Sequence, residues 1–330
     1  MKSPAGSLIM DEIRLPTQTI RSTPLTATVV PAQTDSASRP QVTILMPTYN
    51  EQRAIRAVLA EVVDAMSDEP YSCEILIVDD GSTDATPDLA EQFAAECWRF
   101  PVRVVRRQEN RGAGFARKIG VREARGEIVV MLDADGTYPA KEIPRLLAHF
   151  PQYDQVNGAR TSEQGTLPWL RGPAKWLIRQ MACYLTGCKI PDLNTGLKAF
   201  RRDVMVPWLW VVPDGFSCVT TMTLAFLTNG YAVKYVPIEY RKRIGISKFH
   251  PLKDTAAYLS TVLRIVLYFR PLKVFLPLAA LVILLGVAKS IWSFTSTGSM
   301  QESDIVVLTA GFLTCMFGML AEVVVAHHRR

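Results

Sequence analysis

Between residues 42 and 133 four short runs of aliphatic and β-branched residues alternate with polar segments and with stretches whose apolar positions recur at helical spacing. The runs are VTILM (42–46), EILIVD (74–79), VRVV (102–105) and EIVVMLD (127–133). Strands that are apolar on both faces and alternate with helices must be covered on both sides, so the pattern predicts an α/β domain around a mostly parallel sheet. In open sheets of this kind ligands bind beyond the carboxyl ends of the strands, where the polar motifs of this chain fall.

The rest of the 330 residues divides by composition. Residues 1–40 are rich in Pro, Ser and Thr without helical or strand periodicity and read as a disordered tail. Near the other end, Val274–Ala288 is uncharged and extends to about 20 residues if Lys289 snorkels, and Ile305–Ala326 adds about 22 more. At 1.5 Å per residue each can cross a hydrocarbon core of about 30 Å. The link TSTGSMQESD has no Lys or Arg, whereas Arg270, Lys273, Arg329 and Arg330 flank the outer ends. The positive-inside rule then places the α/β domain and both termini in the cytoplasm, on a multi-pass protein of the inner membrane. Residues 239–273 are strongly basic, and Leu252, Ala256, Leu259, Leu263, Val266 and Leu267 form an apolar stripe, the pattern of a helix lying among lipid headgroups or of an ordinary packed helix. The expected division is a tail (1–40), a catalytic domain (41–250), an interfacial amphipathic helix (251–272) and a two-helix transmembrane hairpin (273–330).

Composition fits a mixed soluble and membrane protein: 48% of residues are hydrophobic and 21% charged. A net charge of +6 suits an anionic partner, phosphate or acidic lipid. The six cysteines show no CxxC spacing and the four histidines are scattered, so neither a zinc site nor a disulfide framework is indicated. There is no GxGxxG and no GxxxxGK[ST], which counts against dinucleotide oxidoreductases and P-loop ATPases. Nothing points to nucleic acid.

Three motifs follow the first, second and fourth of the apolar runs. Pro47, Thr48, Tyr49, Asn50 and Glu51 come first: Pro47 is expected to end the strand ladder, and an aromatic face beside a carboxylate suits a nucleobase, although a plain capped turn has the same composition. Next come Asp79 and Asp80, adjacent carboxylates that need a ribose, a base edge or a cation to offset their repulsion. The third is Asp133-Ala134-Asp135. On an extended strand i and i+2 share a face, so these two carboxylates can converge on one Mg²⁺ or Mn²⁺ that also takes diphosphate oxygens. Between them, the glycine-containing helix entry Asn110–Lys118 could meet phosphate through backbone N–H groups and Arg117, or be a solvated basic helix.

In order, PTYNE, DDGSTD, ENRGAGFARK, DADGTYP, NTGLKAFRR and RKRIGISK resemble the family 2 glycosyltransferases of GT-A fold, in particular the polyprenyl-phosphate (dolichol-phosphate mannose synthase-like) branch with two C-terminal membrane helices. The resemblance implies inverting transfer of a hexose from a nucleotide sugar, of UDP-glucose or GDP-mannose type, to a polyprenyl phosphate at the cytoplasmic membrane face. By the same resemblance Pro47, Tyr49, Glu51, Asp79, Asp80, Arg117 and Ala134 bind the nucleotide, and Asp133 and Asp135 hold the metal and diphosphate. Arg160, Arg171, Lys175, Ser247 and Lys248 would meet the acceptor phosphate, and Arg243 belongs with the two aspartates in the catalytic set, on a basic loop near the diphosphate. A homo-oligomer, in the family a tetramer, is the expected assembly. Two departures are Thr137, where the family often has a third polar contact, and SCVTTMT after Phe216, where many relatives are acidic. The absence of QxxRW speaks against a processive polysaccharide synthase. Two other readings stay open: a glycosyltransferase using another lipid acceptor, and a catalytically silent nucleotide-sugar-binding membrane scaffold.

Overall fold

A computed structural model of the chain describes residues 26–28, 39–161, 179–184, 186–215, 217–244, 268 and 270–328. Its strands are β1 (Thr26–Thr28), β2 (Val42–Thr48), β3 (Cys73–Asp79), β4 (Val102–Arg106), β5 (Ile128–Met131), β6 (Gln155–Arg160), β7 (Lys198–Arg201) and β8 (Val233–Ile238). They form one mixed sheet in the order β1-β4-β3-β2-β5-β7-β6-β8. Strands β4, β3, β2 and β5 pair in parallel, as do β6 and β8, while β7 runs antiparallel between β5 and β6. The parallel block is the one expected from the four apolar runs.

Period-two alternation assigns the strand residues to two cores. Val42, Ile44, Met46, Ile75, Ile77, Val130 and Leu132 face one side, with helices α1 (Ile55–Ser67) and α2 (Thr86–Glu96). Leu45, Leu76, Val78, Val129 and Met131 face the other, against α3 (Ala113–Glu123) and residues that include Met222 and Phe226. In α1 the buried positions Ile55, Val58, Leu59, Val62 and Met66 follow helical spacing, so one stripe meets the sheet. Each fully buried Ile or Leu contributes roughly 1.5–3 kcal/mol relative to exposure. At the amino edge, buried Glu74 pairs with Arg103 at 3.1 Å and accepts from Thr43 Oγ1 at 2.7 Å, so polar groups there are satisfied within the fold.

Three local expectations are corrected. Residues 26–28, placed in an unordered tail, form β1 antiparallel to the edge of β4; an edge ladder is made by backbone groups and needs no side-chain period. Strand β2 also continues through Pro47, which lies opposite Val78. Residue 47 shares the side of Leu45, toward β5, and β5 has already ended at Met131, so the missing N–H breaks no ladder bond. Finally, because β5 stops at Met131, Asp133 and Asp135 lie beyond the strand and not on it.

The short helix α4 (Ile143–Leu147) and helix α5 (Cys218–Thr228) complete the cover of the sheet. Helices α6 (Leu272–Thr297, 26 residues) and α7 (Glu302–His328, 27 residues) form the C-terminal hairpin, each long and apolar enough to cross a membrane. The Leu272 N–H donates to Glu322 Oε2 at 3.2 Å at one end, and Lys289 pairs with Asp304 toward the other. Val274 packs on a cluster containing Ala182, Ile190, Leu193 and Leu224, which seats the hairpin on the α/β body. The amphipathic stretch expected at 251–272 falls almost wholly outside the described residues.

Candidate active site

A cleft of about 350 Å³ opens at the carboxyl edge of the sheet, where β2, β3, β5, β6 and β8 deliver their following residues. Of the residues singled out from sequence, Pro47, Tyr49, Glu51, Asp80, Arg117, Asp133, Ala134, Asp135, Arg160 and Arg243 all line it. Arg171, Lys175, Ser247 and Lys248 lie outside the described residues.

The first two motifs clasp one another. The Asn50 N–H donates to Ser82 Oγ (2.8 Å), Asn50 Oδ1 accepts from the Thr83 N–H (2.8 Å), and the Glu51 N–H donates to Thr86 Oγ1 (2.8 Å). Asn50 has φ of 52°, a left-handed conformation that Asn tolerates better than most residues. Much of both motifs therefore shapes the edge rather than meeting a ligand.

Asp79 and Asp80 separate by the same alternation that sorts the core. Asp79 turns away from the cleft, and both of its oxygens accept from Ser82, through N–H (3.1 Å) and Oγ (2.5 Å). Asp79, expected with the nucleotide-binding residues, is not among those that line the cleft, and the turn offsets its charge. Asp80 stays at the cleft and accepts from the Arg111 N–H (3.2 Å) and the Gly112 N–H (2.7 Å), with Arg107 at 3.9 Å. Burial nonetheless raises its carboxyl above the usual range. Gly112 is required here: its φ is 103°, and a Cβ would stand 2.6 Å from the Asp214 carbonyl oxygen.

The Asp133-Ala134-Asp135 segment turns beyond β5. Asp133 Oδ1 accepts from Arg117 NH2 at 2.5 Å, while NH1 of the same buried arginine donates to Cys218 Sγ at 3.3 Å. Arg117 is thus not a solvated charge: it is buried, lines the cleft and anchors Asp133. Asp135 Oδ1 accepts from the Thr137 N–H (3.0 Å) and Oγ1 (2.6 Å), and Arg243 NH1 stands 3.4 Å from Oδ2. Burial, and then the charge of Asp133, raise the Asp135 carboxyl above its ordinary range. Two neighbouring carboxylates, each with Oδ1 held by protein donors and the Oδ2 of Asp135 facing the mobile charge of Arg243, suit a hard divalent cation. Among the described residues no third Asp, Glu, His or Cys joins them, so further ligands would come from substrate or water.

Arg243 spans the cleft, pairing through NH2 with Glu51 and through NH1 with Asp135. Its segment is laid on the acidic turn by the Arg241 N–H to Thr137 O (2.8 Å) and the Ile244 N–H to Asp135 O (3.1 Å). Arg160 is bidentate on Asp192 (2.7 and 2.9 Å) and lies 5.3 Å from the Tyr240 ring centroid. Burial would raise the Asp192 carboxyl, but the hydrogen bonds and charge of Arg160 override it and hold it below the usual range.

Sequence reasoning did not single out Tyr138, Asp192, Asn194, Gly196 or Tyr240. Tyr138, Asn194 and Gly196 sit inside the quoted motifs, whereas Asp192 and Tyr240 carry no local signal. The Gly196 N–H donates to the Tyr138 hydroxyl oxygen (2.8 Å), and the Tyr138 ring meets Tyr240 edge-on at 5.3 Å.

Lys198, also unforeseen, is fully buried at the start of β7 and donates from Nζ to Val219 O (2.7 Å) and Thr223 Oγ1 (2.9 Å). Burial pushes its ammonium down to about 7, against the pull of Cys218. An unfolded lysine keeps its proton to about 10.5 and the folded one releases it near 7, so raising the pH between these values favours the fold. Lys198→Met removes that dependence. Thermal unfolding at pH 7 and pH 9 is expected to show the Tm gap between wild type and variant moving in the wild type's favour at the higher pH; an unchanged gap would mean that Lys198 keeps its proton throughout.

Residues 43–206 match the family model described as glycosyl transferase family 2, and residues 270–326 match that of the GtrB C-terminal hairpin. A dolichyl-phosphate hexose transferase of Haloferax volcanii is 33% identical over 226 residues, which are 68% of this chain and 93% of that protein. An undecaprenyl-phosphate 4-deoxy-4-formamido-L-arabinose transferase of Pseudomonas savastanoi pv. phaseolicola is 32% identical over 64% of this chain and 61% of that longer protein. Among solved structures, glucosyl-3-phosphoglycerate synthase from Mycobacterium tuberculosis with Mn²⁺, uridine diphosphate and glucosyl-3-phosphoglycerate superposes with a TM-score of 0.53 at 19% identity, covering 69% of this chain and 80% of that one. At that identity the likeness is one of fold.

Proposed function

Because the chain belongs to glycosyl transferase family 2, we propose that it moves a hexose from a nucleotide sugar to the phosphate of a polyprenyl lipid, inverting the anomeric carbon, at the cytoplasmic face of a membrane. The observation that carries this reading is the acidic pair Asp133 and Asp135 set among Arg117, Arg160 and Arg243 in one cleft at the carboxyl edge. Both relatives named for polyprenyl-phosphate acceptors support it, as does the apolar hairpin.

The nucleoside is assigned to Tyr49, Glu51 and Asp80, at the ends of β2 and β3. Glu51 is now paired with Arg243, so donor entry exchanges that contact and lets Arg243 turn to the diphosphate. Mg²⁺ or Mn²⁺ held by Asp133 and Asp135 would supply Lewis-acid stabilisation of the nucleoside diphosphate leaving group. Arg117 keeps Asp133 in place, and Thr137 does the same for Asp135.

A phosphate monoester has a second pKa near 6, so at neutral pH the acceptor oxygen is already an anion and needs no strong base. The remaining task is electrostatic: two anions must approach each other in a site whose cations are already oriented. Arg160, fixed by Asp192 over Tyr240, is assigned to the acceptor side, together with the basic residues 171, 175 and 248. In-line attack from that side inverts the carbon.

The isoprenoid tail cannot leave the bilayer, so the hairpin keeps the cleft near the lipid phosphate. The link between α6 and α7 lacks Lys and Arg while Arg270 and Lys273 precede α6, which orients the α/β body to the cytoplasm. Membranes containing the protein, incubated with labelled UDP- and GDP-sugars and a polyprenyl phosphate, are expected to yield a labelled polyprenyl-phosphate hexose identified by mass. Label entering only a neutral lipid such as diacylglycerol, or no lipid at all, would overturn the acceptor assignment.

A further inference from the structure

Exposed aromatic rings on the α/β body meet the chain where it enters α6. Trp210, 62% exposed, packs edge-on against Tyr268, 45% exposed, with centroids 5.7 Å apart. Tyr184, 59% exposed, donates from its hydroxyl to Lys273 O (3.3 Å), and its own carbonyl accepts from Lys273 Nζ (3.1 Å). Lys273 is in the first turn of α6. At 1.5 Å per residue, Trp292 lies about 28 Å further along the same helix. That is close to the ~30 Å thickness of a hydrocarbon core. Trp and Tyr, apolar rings with a polar tip, collect at both boundaries between water and lipid.

We infer that Tyr184 and Trp210 on the catalytic body, with Tyr268 just before α6, form an interfacial girdle that seats in the headgroup layer of a phospholipid bilayer, with Trp292 marking the opposite boundary. The inference rests on the reading of the hairpin as membrane-spanning. Continuity with the first turn of α6 sets the level of the rings, and Arg270 and Lys273 beside them favour anionic headgroups. The seat bears on the cleft as well. Four residues after Trp210, the Asp214 carbonyl accepts the N–H groups of Gly114 (2.8 Å) and Phe115 (3.3 Å), at the start of the helix that carries Arg117. The depth of Trp210 therefore sets the height of the cleft mouth above the lipid phosphates.

The test uses the full chain in bilayers of phosphatidylcholine and phosphatidylglycerol whose acyl chains carry bromine either near the carbonyl or near the terminal methyl. Tryptophan emission is compared between wild type and W210F, W292F and W98F. Trp98, 83% exposed in the connection from α2 to β4, is at the opposite edge of the sheet and serves as the aqueous control. The emission lost in W210F and in W292F is expected to be quenched more by shallow than by deep bromines, and that lost in W98F by acrylamide alone. If the emission lost in W292F is bromine-sensitive and that lost in W210F is not, the girdle is overturned while the hairpin reading stands. If neither responds, the hairpin reading itself fails. Protection of Trp210 from both bromine and acrylamide would mean a second copy covers it, and also overturns the girdle. W210Y, which keeps both a ring against Tyr268 and a polar tip, repeats the comparison should W210F fold poorly.

Discussion

Asp135→Ala is expected to lower kcat/KM by ~1,000-fold or more even at saturating Mn²⁺, because it removes one of the two proposed metal ligands at the point where leaving-group charge develops. The fold should survive. Among the described residues the Asp135 side chain hydrogen-bonds to Thr137 and pairs with Arg243, which keeps Glu51 as a second partner, and burial together with Asp133 raises its carboxyl above the ordinary range. A folded carboxyl that holds its proton to higher pH than an unfolded one opposes folding in its ionised form at neutral pH. Alanine relieves that cost, so the variant's Tm at pH 7 should equal or exceed the wild type's while turnover disappears. Activity and unfolding are measured on the same preparation. Full turnover at saturating Mn²⁺ would take Asp135 out of the metal site, and a collapsed Tm would reassign it to the fold.

The second large effect is expected at a residue without a functional side chain. A Cβ at Gly196 would stand 2.2 Å from Asp133 Oδ2 and 2.8 Å from Tyr138 Cε2. Asp133 cannot swing freely, since Oδ1 is held by buried Arg117, and Tyr138 is buried against Tyr240. Gly196→Ala therefore displaces the carboxylate from the position where it would meet a cation, and misplacement by about 1 Å can cost on the order of 100-fold in rate. Overpacking of this kind costs about 1–3 kcal/mol of stability, a far smaller relative loss. Turnover should fall and the Mn²⁺ concentration giving half-maximal rate should rise, with the far-UV circular dichroism unchanged. Wild-type metal dependence in this variant would show that Asp133 Oδ2 is not a ligand.

Both predictions depend on contacts with very different visibility in the sequence. The apolar runs marked β2 to β5 because their period and bounding turns are local, and their order placed the motifs at one edge. Asp79 and Asp80 looked like a pair. Folding sends them to opposite sides because consecutive strand residues alternate, so that Ser82 satisfies one while the other faces the cleft. Arg117 looked like a phosphate contact or a solvated charge, and its pairing with Asp133 across the α3–β5 layers could not be read from spacing. The antiparallel insertion of β7, which brings Gly196 and Lys198 beside the acidic turn, has no counterpart in the periodicity of residues 42–133.

Local pattern alone established an α/β body with a mostly parallel sheet, two apolar helices after it, and acidic motifs at the carboxyl edge. It could do so because strand alternation, helical spacing and apolar length are properties of neighbouring residues. Which atoms of those motifs are left for a ligand was decided by tertiary structure. Arg243 reaches Glu51, Asp192 fixes Arg160, and Gly196 makes room for Asp133, each by an encounter between segments far apart along the chain. Such encounters follow from how the strands pair, and strand pairing is set by the packing of the whole sheet.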